Sequence, residues 1–168
     1  MRNAIWLVLA ALLAGCGNNT PARVSAPPDP AKGEIHFEWA GPSETVMLVP
    51  VHINGQGPFK FVLDTGATLT CVNEELRNRL SLPSLPGRIG MGAGVGMVGQ
   101  ISLIKIESLR VGKASAEDMA ACALDLSHVQ RLGVKVDGLL GLNFLRPFRV
   151  GIDFQREVLS LSRSESTE

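Results

Sequence analysis

The run FKFVLDTGATLTCV, residues 59–72, constrains this chain more than any other. A segment that reads as buried strand ends on a carboxylate, Asp64, followed by Thr65-Gly66-Ala67. A buried charge is costly unless it is paired or hydrogen-bonded. Any fold of this chain must therefore bring donors, and a group able to share the charge, to one strand end. Gly66 has no Cβ, so backbone N–H groups can approach the carboxylate closely. Thr65 offers a hydroxyl that can fix the loop.

The rest of the chain reads mostly as β-structure. It has 168 residues, 45% hydrophobic, with 18 Gly and 10 Pro but only two Trp and six Phe. That suits one domain of short strands and turns rather than a helical bundle. IHFEW from Ile35 alternates apolar and polar, and TVMLVPVHING followed by FKFVLD reads as a hairpin turning at Asn54-Gly55, with Gly57-Pro58 continuing the turn. TLTCVN reads as another strand, and NEELRNRLSL as a helix of two turns at most, with Asn73 as N-cap and Pro83 and Pro86 beyond its end. ISLIKIESLRVG and DMAACALDLS read as strands, VDGLLGLNFL as a strand entering a short helix, and FRVGIDFQREVLSLS as a hairpin. Long free strand edges are a liability, which favours a closed or folded-over barrel.

The N-terminus is a separate object. Arg2 precedes the apolar run Ile5–Ala14, too short to span a bilayer core of about 30 Å but suited to a signal peptide. Leu13-Ala14-Gly15-Cys16 resembles the lipobox of bacterial lipoproteins. That resemblance implies a signal peptide over residues 1–15 and lipidation of Cys16. Gly17, where an Asp is absent, implies the outer membrane, facing the periplasm. Residues 16–34, rich in Pro, Asn, Ser and Ala, read as a flexible tether. Residues 35–163 read as the folded domain and 164–168 as a polar tail.

Several function classes find no support. The formal net charge is zero and no basic patch is present, against nucleic-acid binding. His36, His52 and His128 are scattered without metal-ligand spacing, so neither a metal nor an organic cofactor is expected. Gly94-Val95-Gly96-Met97-Val98-Gly99 matches G-x-G-x-x-G, but the β-type run after it is not the helix a dinucleotide site requires. Cys71 and Cys122 lie in apolar runs, which favours buried free thiols over a disulfide.

Asp64-Thr65-Gly66-Ala67, set between two β runs, resembles the catalytic loop of retropepsin-like aspartic proteases, the single-lobe retroviral type. Three further features match in order. Gly90, Gly92, Ala93, Gly94, Val95 and Gly96 stand where that family carries its flap. Leu139-Leu140-Gly141 resembles the hydrophobic-hydrophobic-Gly signature whose strand crosses under the catalytic loop, and Leu142-Asn143 opens the family's C-terminal helix. FRVGIDFQREVLSL resembles the terminal segment of bacterial members.

The resemblance implies a peptide or protein substrate and an endopeptidase that works as a homodimer, each subunit giving one Asp64. It also makes Leu69, Cys71 and Val95 candidates for substrate contact. Asp137 reads as a strand-end residue rather than a second catalytic Asp, and Asp153 as a hairpin residue. The viral pattern has Asp after the Ala and Arg after the signature; this chain has Thr68 and Leu142, so the dimer is not expected to be held in the viral manner. The alternative is a lipoprotein that keeps the fold to bind peptides or scaffold a complex without catalysis.

Overall fold

The computed structural model describes residues 26–89, 101–127 and 133–163. The first 25 residues, with Cys16 and most of the tether, lie outside them, as do the flap candidates Gly90–Gly96, His128 and the tail.

Eleven strands dominate: β1 (Glu34–His36), β2 (Glu38–Ala40), β3 (Val46–Ile53), β4 (Gln56–Leu63), β5 (Cys71–Asn73), β6 (Ser84–Ile89), β7 (Ile101–Val111), β8 (Ala114–Leu124), β9 (Gly138–Leu140), β10 (Phe148–Asp153) and β11 (Val158–Arg163). Among the described residues two short helices join them, α1 (Glu74–Arg79) and α2 (Leu142–Leu145). The larger sheet runs β2-β3-β4-β9-β5-β8-β7-β6. A further pairing of β3 with β7, His52 to Arg110 and Ile53 to Leu109, closes the six strands from β3 to β7 on themselves. The barrel expected from the sequence is therefore present, with β2 and β6 outside its ring.

The hairpin of β3 and β4 turns at Asn54 (φ +49°) and Gly55 (φ +75°), as the Asn-Gly pair predicts. Gly57-Pro58 lies inside β4 and not in the turn. IHFEW is not one strand: the chain changes sheets at Phe37, β1 pairing with β11 and β2 with β3. Phe37 is fully buried at that crossing, which a period-2 reading cannot reveal. TLTCVN shortens to β5, because residues 64–70 are loop. Asn73 occupies the N-cap position of α1 without capping it; its side-chain oxygen accepts from the Leu126 N–H at 3.5 Å instead.

Residues read as the end of the tether are ordered. Pro30–Lys32 form a 3-10 turn capped by Asp29. The Arg156 guanidinium, in the turn between β10 and β11, bonds the Glu34 carboxylate at 2.8 Å and the Pro27 carbonyl at 3.5 Å. This pairing holds the Glu34 carboxyl down at about 2, helped by the Asp29 N–H.

Two apolar clusters lie on opposite sides of the strands. Phe61, Val72, Ile104, Ile106, Leu140 and Phe144 belong to the larger one, and Leu48, Cys71, Cys122, Leu126 and Leu139 to the smaller. Successive strand residues face opposite ways. Leu139 and Leu140 therefore serve different clusters, and both positions of the signature must be apolar.

Candidate active site

Asp64 stands just past the end of β4, half-buried. Its N–H donates to the Leu140 carbonyl at 3.1 Å, and its own carbonyl accepts from the Ala67 N–H at 3.3 Å. One carboxylate oxygen, Oδ1, accepts the Gly66 N–H at 2.9 Å. Among the described residues no other donor reaches the carboxylate, so Oδ2 is open. A Cβ on Gly66 would lie 3.2 Å from that same Oδ1, close enough to crowd the acceptor.

The signature strand supports this loop. β9 is inserted between β4, with which it is parallel, and β5, with which it is antiparallel. The chain thus leaves β4, makes the loop and returns as β5 on the far side of β9. Gly141, next in line, packs against the loop backbone: a Cβ there would stand 2.5 Å from the Leu69 carbonyl oxygen and 2.8 Å from the Thr70 nitrogen. Amides at the start of α2 then hold the loop carbonyls, Leu142 N–H to Ala67 at 2.8 Å and Asn143 N–H to Thr68 at 3.1 Å.

Two residues that the sequence did not single out as site residues tie the loop down. Thr70 is fully buried. Its hydroxyl accepts the Gly141 N–H at 3.1 Å and its carbonyl the Cys122 N–H at 2.9 Å. Asn143 accepts the Thr70 N–H at 2.7 Å on Oδ1 and donates from Nδ2 to the Ala120 carbonyl at 2.8 Å. Reversing that amide would set donor against donor at Thr70, so the network itself orients it. Asn143 carried a signal, its place after the signature; Thr70 looked like an ordinary strand residue.

Other candidates fall differently. Thr65, expected to fix the loop, is exposed, and its hydroxyl has no partner among the described residues; Thr70 and Asn143 do that work within the chain. Cys71 is withdrawn as a substrate contact. It is buried, and it forms a disulfide with Cys122, where free thiols were expected. β5 and β8 are parallel neighbours with Cys71 and Cys122 in register and their Cα atoms 4.4 Å apart. That adjacency, across 51 residues of sequence, is invisible in local composition. Leu69 is half-buried against the smaller cluster. Val95 and the flap lie outside the described residues.

Asp137 is not near-free for catalysis: its carboxylate accepts the Lys60 N–H at 2.8 Å and its N–H donates to the Lys60 carbonyl at 2.8 Å. Asp153 caps its own hairpin turn through the Gln155 and Arg156 N–H groups. The described residues hold no cluster of His, Cys, Asp or Glu able to bind a metal. His36 faces Glu157 at 3.6 Å, while at His52, where β3 meets β7, burial and then Arg110 push the imidazole pKa down. Among the described residues, Asp64 is thus the one carboxylate that stands on this loop.

A sequence profile of the aspartyl protease family matches residues 49–144, from the middle of β3 into α2. The chain belongs to this family. In sequence this aspartyl protease family member is 29% identical over 119 residues to Protein DDI1 homolog 1 of Bos taurus, across 68% of this chain and 27% of that protein. It therefore spans about a quarter of that relative's length. Its fold is that of a retropepsin-like aspartic protease from Rickettsia conorii, with TM-score 0.52 and 22% identity over 77% of this chain and 90% of the other. The retroviral protease-like domain of Ddi1 from Leishmania major aligns with TM-score 0.48 and 21% identity, over 70% and 88% of the two chains.

Proposed function

We propose that this aspartyl protease family member is an aspartic endopeptidase acting as a homodimer. The observation that carries the reading is the Asp64 carboxylate, fixed by Gly66 on one oxygen and open on the other, on a loop bonded at both ends to Gly141, Leu142 and Asn143. A two-fold partner supplies the second Asp64. Like charges a few ångströms apart do not both ionise, so the pair shares one proton. The ionised carboxylate takes a proton from water as the water oxygen attacks the scissile carbonyl carbon. The protonated carboxyl gives its proton to the carbonyl oxygen. Collapse of the tetrahedral adduct returns a proton to the leaving amine and regenerates the pair. The pKa values belong to the pair and not to either residue.

Asp64 is the shared acid and base, and Gly66 and Ala67 shape its loop. The glycines from Gly90 to Gly96 act as the flap over an extended peptide. Ala67 in place of Ser withholds a hydroxyl from the ionised Asp, so activity peaks at weakly acidic pH. An optimum near pH 2 would count against this assignment. Residues 1–15 are a signal peptide and Cys16 carries lipid, anchoring the enzyme in a bacterial envelope at the outer membrane, facing the periplasm. Residues 35–163 are the protease domain.

The test is hydrolysis of a mixed peptide library at several pH values by full-length wild type and by Asp64→Asn. Cleavage lost in the variant supports the enzyme. Equal behaviour of the two, or no cleavage by either, favours the non-catalytic peptide-binding reading.

A further inference from the structure

The exit side of the Asp64 loop depends on one strand, β8. Thr70 donates its N–H to Asn143 Oδ1 at 2.7 Å, and Asn143 Nδ2 donates in turn to the Ala120 carbonyl of β8. The Thr70 carbonyl accepts the Cys122 N–H of β8 at 2.9 Å. The next residue, Cys71, is joined covalently to Cys122. Its Sγ also lies 3.6 Å from the Leu69 carbonyl oxygen, so the sulfur touches the loop itself. The entry side is held differently: backbone groups of Leu140, Leu142 and Asn143 bond Asp64, Ala67 and Thr68.

Apart from the covalent bond, little holds β5 to β8. β5 has three residues, paired with β8 at Cys71–Cys122, Val72–Ala123 and Asn73–Leu124, and with β9 at Cys71–Leu139 and Val72–Gly138. Short pairings of this kind open locally more readily than long ones. β8, by contrast, pairs with β7 along its length, from Ser102–Ala123 to Val111–Ala114, with Leu103 opposite Cys122. The disulfide thus ties the weakly paired end of the Asp64 loop to a long hairpin of the barrel.

We propose that the Cys71–Cys122 disulfide is a positioning bond for Asp64, and that its formation switches the protease on. This deepens the endopeptidase reading above and rests on it. The step is thiol–disulfide exchange with a disulfide oxidant, a small molecule or a protein. One cysteine thiolate attacks a sulfur of the oxidant and expels a thiolate. The second cysteine thiolate then attacks the mixed disulfide and expels the other half. Two electrons pass from the cysteine pair to the oxidant, which leaves as two thiols carrying the two protons. In the reduced chain the fold persists, but the β5–β8 contact opens and closes and takes the loop exit with it. Asp64 then loses the fixed position that chemistry between two carboxylates demands. Cys71 and Cys122 are 6% and 2% exposed. The closed bond is therefore out of reach of soluble thiols. The switch is set once, as the chain folds in an oxidising compartment, and a chain held in a reducing one stays idle.

The experiment compares the full-length chain in three forms: oxidised, refolded in excess dithiol, and the double variant Cys71→Ala/Cys122→Ala. Maleimide labelling with peptide mass mapping reads the state of the two thiols. Asp64-dependent peptide cleavage, amide-exchange protection and urea unfolding are measured where circular dichroism shows every form folded. The reduced chain is expected to lose about a hundredfold in kcat with KM little changed. Refolding it with oxidised glutathione restores cleavage, whereas the double variant stays as slow as the reduced chain under either treatment. Protection at residues 66–73 should fall on reduction by more than the loss of global stability accounts for.

A reduced chain that cleaves as fast as the oxidised one overturns the proposal. So does a uniform fall in protection equal to the loss of global stability, because the bond then serves the whole fold. Free thiols at Cys71 and Cys122 after oxidative refolding remove the bond and the proposal with it. Loop protection lost on reduction, with no Asp64-dependent cleavage by any form, supports the positioning bond and sinks the enzyme reading. Unchanged loop protection with no cleavage by any form sinks both.

Discussion

The Asp64 loop and the C-terminal hairpin are joined through α2, yet they are finished to different degrees. Residues 64–70 are bonded on every side within their own chain, to Leu140, Gly141, Leu142, Asn143 and Cys122. Strand β10 pairs only with β11, its Phe148 ring packs on Phe144 of α2, and its apolar face opens outward at Val150 and Ile152. Chemistry that needs two carboxylates requires each Asp to be placed within a fraction of an ångström before its partner arrives. The proposed chemistry therefore calls for a loop that is rigid in the single chain, a demand that the β10 edge does not carry.

The largest effect should come from removing the chemistry and leaving the scaffold alone. Asp64→Asn is expected to lower kcat by about three orders of magnitude or more, with an unchanged melting temperature by circular dichroism. A large fall in melting temperature would mean that Asp64 serves the fold.

Gly141→Ala should do the reverse and break the rigid half itself. Its Cβ would meet the Leu69 and Thr70 backbone, which cannot swing aside as a side chain could. A loss of about 3 kcal/mol is expected in urea unfolding. Thr70→Val tests the same contact from the other side. It leaves the buried Gly141 N–H without an acceptor, at a cost of about 1–3 kcal/mol.

The disulfide sharpens the comparison, because it links β5, directly after the loop, to β8. Cys71→Ser/Cys122→Ser removes a cross-link spanning 51 residues. Stability should fall by about 2–4 kcal/mol, read as a lower denaturant midpoint.

The smallest effect belongs to the hairpin side. Glu34 is held at about 2, below its usual 4.5, mainly by Arg156. Its folded-state pKa is depressed, so the clasp contributes fully above about pH 4.5 and is lost as pH falls towards about 2. Protection factors for amide exchange at residues 30–36, corrected for the intrinsic pH dependence of exchange, should fall over that interval in the wild type. Glu34→Gln should show low protection factors there at all pH values, with those in β7 and β8 unaltered.

Local pattern made much of this molecule legible. The Asn54-Gly55 hairpin, the strands around β7 and β8, the apolar pair Leu139-Leu140 and the two short helices follow from residue spacing and turn chemistry over a few positions. The Asp64-Thr65-Gly66-Ala67 motif was legible for the same reason, since its residues act on one another within one turn. The contacts that secure it were not. Thr70 meets Gly141 across 71 residues and Asn143 across 73. Cys71 meets Cys122 only because two parallel strands come into register, and Phe37 marks a change of sheet that its neighbours do not announce.

Sequence by itself therefore determined which carboxylate stands at a strand end, and that a glycine-bearing loop and an apolar strand accompany it. Only the tertiary structure decided which side chains lock that loop, how the barrel closes from β3 to β7, and which strand edge stays open. The first depend on neighbours along the chain; the second depend on partners that no local propensity encodes.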